Sequence, residues 1–456
     1  MTPEVEVRRR FIDDLYYELL ARGIAYFLPD YRLTASGPAP RTGALQLATQ
    51  LEIAETPSPT ALELRWLDTS YLLSHPTRGF TQQQIRLIQS IGAVLAARYR
   101  FLFGANIDSP ALDLYRGLPE DRYISAFLGQ ETYHAASTVM ASSDRIAEAI
   151  AVLRLTSSMT YENRRISTGV LLFGVHPDPC HALPETPPGA VAYADALTTI
   201  RSFHRLSDGL QTVALVDRAG LLVELIEVQE WAKPFAGLPL PVPSAARYDA
   251  HSRATLCGGH IFLILTPNGE IKIIAGGMQV FNFLDGRWHL TDAEEKYRRW
   301  EAAVGDRRFA EIVFTVALNL ADARRGCLFV ILDDEIAPQT LLASGDLLSA
   351  AASPDHPTSK RQLHYLLRGK RVVDMPAAVL ESVARIDGAI LLSRNSDLLA
   401  FGAILHPPST PAYALTPSEG GRTTAALNAS RMGKVLKVSE DGQIAFYENG
   451  ACVWEM

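Results

Sequence analysis

The chain has few cysteines, no long apolar run and no surplus of basic charge, and each lack removes a class of protein. Four cysteines, Cys180, Cys257, Cys327 and Cys452, occur in 456 residues. They are far apart, form no CxxC pair and have no histidine at ligand spacing. Neither a disulfide framework nor a zinc site is expected, and they read as buried free thiols. No stretch reaches the ~18–20 consecutive apolar residues of a membrane span, so a soluble protein with no membrane partner is expected. The opening Met1-Thr2-Pro3-Glu4 lacks the basic-then-apolar layout of a secretory signal, which makes the cytoplasm the expected compartment. A net charge of −7 argues against a protein whose main task is coating nucleic acid, because phosphate contacts need clustered Lys and Arg.

What is present reads as an ordinary globular composition, 48% hydrophobic and 20% charged. The length exceeds the ~250–300 residues of a single core, so several domains are expected. The overall class is α/β. Residues 1–160 read as an α+β regulatory domain. Its first helix carries Phe11, Leu15, Tyr16, Leu19 and Leu20 on one face and is expected to stop at Gly23. A second, from about Thr81 to Arg98, is striped by Ile85, Ile88, Ile91 and Leu95. Residues 161–290 read as a strand-rich second regulatory domain, with turns at Asp217-Arg218-Ala219-Gly220 and Pro267-Asn268-Gly269-Glu270. No catalytic set stands out there, and His204, His251 and His260 read as structural histidines.

Residues 291–456 read as a mixed α/β domain. Thr291-Asp292-Ala293-Glu294 is a capping-box signature, and a helix bearing Phe309, Ile312, Val313, Val316 and Leu320 leads through Arg324-Arg325-Gly326 into a strand at Cys327–Leu332. Further elements are expected as helix 376–385, strands 388–393 and 398–405, a Pro-rich loop 407–417, helix 422–431 and a hairpin 434–447 turned at Asp441-Gly442. Lys360-Arg361 and Arg368-Gly369-Lys370-Arg371, which flank Leu363 to Leu367, read as a solvated face.

Two segments of this domain carry chemistry. In Asp387-Gly388-Ala389 a carboxylate stands beside a residue without a side chain, which suits a ribose hydroxyl or a metal ion. In Gly420-Gly421-Arg422-Thr423-Thr424-Ala425-Ala426 backbone N–H groups and a guanidinium are offered to phosphates. An arginine at a helix start opposes the helix dipole unless an anion sits there.

Together with Ala400 to Leu405 and Ser439-Glu440-Asp441-Gly442, these segments resemble the diadenylate cyclase domain family, which carries Asp-Gly-Ala, Gly-Thr-Arg-His-Arg-Ala-Ala and Ser-Glu-Glu-x-Gly motifs in this order. The resemblance covers roughly residues 295–456. It implies the condensation of two ATP molecules into cyclic di-AMP with release of two pyrophosphates, across a two-fold pair of catalytic domains in a homo-oligomer. It implies that Asp387 holds the ribose 3′-hydroxyl and, with Glu440, a Mg²⁺ or Mn²⁺ ion. Asp387, Arg422 and Glu440 would be catalytic. Gly388, Ala389, Leu405, Gly421, Arg422, Thr423, Thr424 and Ser439 would line the nucleotide, and the N-terminal domains would act as sensors.

The chain departs from the family where Arg-His-Arg becomes Arg422-Thr423-Thr424 and the preceding Thr becomes Gly421. Weaker activity is expected, since Thr423 and Thr424 donate only neutral hydrogen bonds and charge-assisted ones are about twice as strong. Arg394, Arg431, Lys434 and Lys437 lie near enough in sequence to compensate, although charges on a helix and a strand edge are more often solvated faces. Two alternatives stay open: a cyclase-like domain that binds ATP or a cyclic dinucleotide without turnover, and a cyclase using another nucleotide.

Overall fold

The computed structural model describes residues 3–38, 50–103, 115, 117–129, 133, 144–182, 185–199, 203–333, 338–342, 346–349, 364–406 and 420–456. Lys360, Arg361, Leu363 and the Pro-rich segment 407–417 lie outside them. The chain divides into two compact units, Met1–Leu238 with Ala250–Asp292, and Pro239–Asp249 with Ala293–Met456. The first contains the segment 1–160 and, apart from residues 239–249, the segment 161–290.

In the first unit a helix spans Pro3–Phe27. It runs through Gly23, contrary to the expected stop. A Cβ at Gly23 would lie 3.0 Å from Ile91 and 3.2 Å from Tyr123, so the glycine serves close packing, and burial of Ile24 and Phe27 beyond it outweighs the weak helix propensity of glycine. Phe11 and Leu15 of the expected stripe are exposed, while Tyr16, Leu20, Ile24 and Phe27 form the buried one. The helix Gln82–Phe103 starts with a reciprocal cap. The Gln84 N–H donates to Thr81 Oγ1 and the Thr81 N–H to Gln84 Oε1, both at 3.1 Å.

Two main sheets complete this unit. The strands β1 (Arg32–Pro38), β2 (Glu52–Glu55), β3 (Ala61–Trp66) and β4 (Thr69–Ser74) form an antiparallel sheet in the order β1-β4-β3-β2. After a short ribbon of β5 (Thr160–Tyr161) and β6 (Arg164–Arg165) comes a seven-stranded sheet. Its strands are β7 (Thr168–Leu172), β8 (Thr212–Val216), β9 (Leu222–Glu227), β10 (Ile261–Leu265), β11 (Ile271–Ala275), β12 (Met278–Leu284) and β13 (Arg287–Leu290). They lie in the order β13-β12-β11-β10-β7-β8-β9, with β7 and β8 the parallel pair. The two expected turns join β8 to β9 and β10 to β11. A single hydrophobic core links Tyr16 and Trp66 to Phe281 and Trp288.

The second unit is built on a six-stranded sheet of β14 (Cys327–Leu332), β15 (Ala389–Leu392), β16 (Leu398–Ala403), β17 (Gly433–Val438), β18 (Ile444–Glu448) and β19 (Ala451–Glu455), in the order β16-β15-β14-β17-β18-β19. Every residue of β14 is buried, as the continuous apolar run requires of a central strand. Helices cover both faces. Ala293–Val304 and Arg307–Asp322 pack on one, where Trp300 meets Phe446 and Phe314 meets Trp454. Gly421–Ala429 covers the other, burying Ala426 and Ala429 among Leu328, Val330, Ala389, Leu391, Val435, Ala445 and Tyr447. The mixture of helices with mixed sheets is an α/β structure.

Candidate functional site

The sheet topology brings the motifs to one edge. Strands β14 and β15 are parallel, with Leu328 beside Ala389, so the residues entering both strands lie at the same end of the sheet. Strand β17 is antiparallel to β14, with Cys327 opposite Val438, so it leaves at that end. Gly326, Asp387 and the Ser439–Gly442 turn therefore become neighbours although the sequence separates them widely. The helix Gly421–Ala429 leads back into β17 from the far end, so its N-terminal turn points to this edge.

Arg422 joins the three pieces. Its Nη1 donates to Glu440 Oε1 at 2.7 Å and its Nη2 to Asp387 Oδ1 at 3.1 Å. The anions expected at this cationic helix start are thus two carboxylates of the chain itself. The hydrogen bond that Arg422 donates to Glu440 raises the Arg422 pKa further, against the opposing effect of burial, with Asp387 adding to the rise. The side chains of Asp387 and Glu440 are 92% and 69% exposed, and that of Arg422 is 36% exposed, so the carboxylates face solvent while the guanidinium is held from behind.

The backing is Gly326. A Cβ there would lie 2.3 Å from Arg422 Nη1 and 2.7 Å from Cζ, so the absent side chain makes room for the guanidinium. Sequence inspection marks Gly326 only as a helix end, because the contact depends on sheet register. Buried Cys327, next along the chain, has its thiol pushed up to about 12 by burial, with Arg422 working the other way, so it is not a nucleophile at neutral pH.

The other predicted residues divide between surface and core. Gly388 has φ +117°, and a Cβ on it would lie 2.5 Å from the carbonyl carbon of Gly402 and 2.8 Å from the nitrogen of Ala403. Its missing side chain therefore serves the approach of β15 to β16. Ala389 is buried in the sheet core, and Leu405 packs against the same core. Gly421 opens the helix after Gly420, with no side-chain cap. The N–H groups of Thr423 and Thr424 donate to the Gly420 carbonyl at 2.9 and 3.2 Å. The Ser439 hydroxyl donates to Asp441 within the β17–β18 turn.

Of the four basic residues considered as compensation, three lie by the other end of the sheet. Lys434, near the start of β17, pairs with Asp333. Arg431 lies against Gly450 in the β18–β19 turn, and Arg394 is in the turn after β15. Lys437, near the end of β17, donates to Thr423 Oγ1 at 3.0 Å.

The donor set suits a hard divalent cation. Asp387 and Glu440 each give one oxygen to Arg422 and have a second, and solvent-facing carboxylate oxygens are what Mg²⁺ or Mn²⁺ takes.

A second cluster lies in the first unit, and no sequence spacing marks it, because its members are as much as 82 residues apart. Asp178, His181 and His260 bring their donor atoms within 4.8 Å of one another. Asp178 Oδ2 accepts from His260 Nε2 at 2.7 Å and from His181 Nδ1 at 3.0 Å, and Oδ1 accepts from the Cys180 N–H at 2.8 Å. Burial acts to raise the Asp178 pKa, but these hydrogen bonds outweigh it and hold the carboxyl below its usual range. His260 Nδ1 accepts the Gly174 N–H at 2.9 Å, which leaves the ring proton on Nε2. A metal ion on Nε2 would have to displace that proton and leave Nδ1 facing a donor. The geometry is that of a satisfied hydrogen-bond network, and His260 is a structural histidine with a carboxylate partner. His251 is likewise buried and hydrogen-bonded, to the Gly209 carbonyl at 3.0 Å.

No protein-family model matches the chain, and no curated protein matches it. Solved structures do. A hypothetical membrane spanning protein from Bacillus cereus is 22% identical over 31% of this chain and 61% of that chain, with a TM-score of 0.23. The matched part thus spans about three fifths of that protein's length. A double mutant of DacA from Staphylococcus aureus is 20% identical over 34% of this chain and 87% of that chain, with a TM-score of 0.20. Among the described residues, no helix of this chain is long and apolar enough to cross a membrane.

Proposed function

We propose that the chain is a diadenylate cyclase, joining two ATP molecules into cyclic di-AMP with release of two pyrophosphates. The observation that carries this reading is the convergence of Asp387, Arg422 and Glu440, from three motifs far apart in sequence, on one exposed edge with their charged groups in contact. Two solvent-facing carboxylates and a guanidinium at a helix start suit a ribose hydroxyl and a triphosphate better than they suit a fold-stabilising role, since exposed ion pairs add little stability.

In this reading each 3′-oxygen attacks the α-phosphorus of the other ATP. A new P–O bond forms, the bond from the α-phosphorus to the bridging oxygen breaks, and pyrophosphate leaves with the electron pair. Asp387 accepts a hydrogen bond from the 3′-hydroxyl and orients it for in-line attack, providing a place for its proton. Arg422 and the N-terminal N–H groups of its helix bind phosphate oxygens. Asp387 and Glu440 would hold the Mg²⁺ or Mn²⁺ ion, which when bound neutralises triphosphate charge. One such edge supplies half of what two nucleotides need, so two copies of the chain pair with these edges facing.

A second reading is a domain that binds the nucleotide without turnover. It is favoured by the neutral Thr423 and Thr424 and by the engagement of both terminal nitrogens of Arg422 with the chain's own carboxylates. Incubation with ATP and Mg²⁺ or Mn²⁺ separates the two. Cyclic di-AMP from the wild type and none from Asp387→Asn supports the cyclase. ATP binding with no product from the wild type supports the binder.

A further inference from the structure

We infer that Lys437 is the second cation of a polyphosphate subsite at this edge, binding the pyrophosphate part of the nucleotide together with Arg422. The inference rests on reading the edge as a nucleotide site. Lys437 pairs with Leu328 of β14 and Ala445 of β18, so it lies on the sheet face covered by the helix Gly421–Ala429. Its alkyl stem is enclosed there, and the residue is only 7% exposed. The ammonium emerges under the first turn of that helix, at the Thr423 hydroxyl, one residue beyond Arg422. Its other neighbour is the Tyr447 ring, 5.7 Å to the centroid.

Among the described residues no carboxylate lies within ion-pair distance of this ammonium, and one neutral hydroxyl takes one of its three N–H donors. A buried charge without a counter-ion is costly. Arg422, by contrast, is already neutralised by two carboxylates. The helix above Lys437 has no side-chain cap and no acidic residue in its first turn, and the carboxylates at its start, Asp387 and Glu440, are bonded to Arg422 and not to Lys437. A stem packed in the core, an unneutralised ammonium and an uncapped helix start converge where Arg422 waits, and a di- or triphosphate is the anion whose size and charge use all three.

The test is titration of inorganic pyrophosphate into the full chain by calorimetry, for wild type, Lys437→Met and Lys437→Arg, with thermal unfolding of each. The expected result is binding by wild type, affinity weaker by about tenfold or more in Lys437→Met and largely kept in Lys437→Arg. Lys437→Met should melt no lower than wild type, because it removes an unpaired buried charge. A third variant, Thr423→Asp, gives the ammonium an internal partner and a favourable acidic residue to the helix start. It should fold at least as well and bind pyrophosphate as weakly as Lys437→Met. Unchanged affinity in Lys437→Met or Thr423→Asp, or no pyrophosphate bound by wild type, overturns the inference. Lys437-dependent pyrophosphate binding in a chain that makes no cyclic product keeps the subsite and removes the cyclase. Cyclisation of ATP with an affinity indifferent to Lys437 does the reverse.

Discussion

Two glycines near the edge act in opposite ways, and their substitution separates function from fold. At Gly326 an added methyl meets the far end of the Arg422 side chain. Gly326→Ala is therefore expected to displace the guanidinium, weakening ATP binding by about tenfold while stability stays within ~0.5 kcal/mol of wild type, as titration and denaturant unfolding would show. At Gly388 an added methyl meets backbone, at a φ of +117° that L side chains rarely adopt. Gly388→Ala should cost at least ~1–3 kcal/mol by the same unfolding measurement, with activity lost only as the fold is lost. In sequence Gly326 marks only a helix end, whereas Gly388 is the middle residue of the Asp-Gly-Ala motif. Asp387, Arg422 and Glu440 are legible because each motif stands in one short stretch. The role of Gly326, and the choice of Lys437 over Lys434, Arg431 and Arg394, depend on strand register.

A buried histidine sets a pH dependence in the first unit. Burial lowers His251 from 6.5 to about 4, against the raising effect of the Gly209 carbonyl. The unfolded chain then binds the proton more readily than the folded one, so the His251 contribution is present above pH 6.5 and is lost as pH falls to about 4. The stability difference between wild type and His251→Gln should shrink over that window by about 2–3 kcal/mol, at 1.36 kcal/mol per pKa unit. A difference constant with pH would contradict the assignment.

At the scale of elements, helices with a clear stripe and a cap are read most directly from sequence. The helix Arg307–Asp322 buries Phe309, Val313, Val316 and Leu320, and the Asp306 carboxylate accepts from the Phe309 N–H at 2.9 Å. Asp306→Ala should lower unfolding free energy by ~1 kcal/mol, the usual worth of such a cap, without changing nucleotide affinity. The first helix shows where such reading fails: the stop expected at Gly23 follows propensity, but Ile91 and Tyr123 pack against that position and the helix continues. The final strand β19 is absent from the sequence reading for a related reason. Its residues Ala451 to Glu455 alternate poorly in burial, and their strand character comes from pairing with β18.

At the scale of the whole molecule, the proposed cyclisation needs two copies of the chain, because each would present half of the site. Parallel β14 and β15, antiparallel β17 and the returning helix place Asp387, Arg422 and Glu440 on an exposed edge, where a second copy can face it. The motif order hints at such a site, but that the three motifs share one edge follows only from the strand order. The contact between Asp178 and His260 in the first unit is similar: neither residue is informative until β7 and β10 are known to be neighbours.

The most direct measurement is the amount of cyclic di-AMP formed per chain from ATP with Mg²⁺ or Mn²⁺, resolved by mass, over a series of protein concentrations. The wild type is expected to give product, with a yield per chain that rises with concentration as edges pair, and Asp387→Asn none. No cyclic product at any concentration with either metal, or equal product from Asp387→Asn, would contradict the cyclase reading.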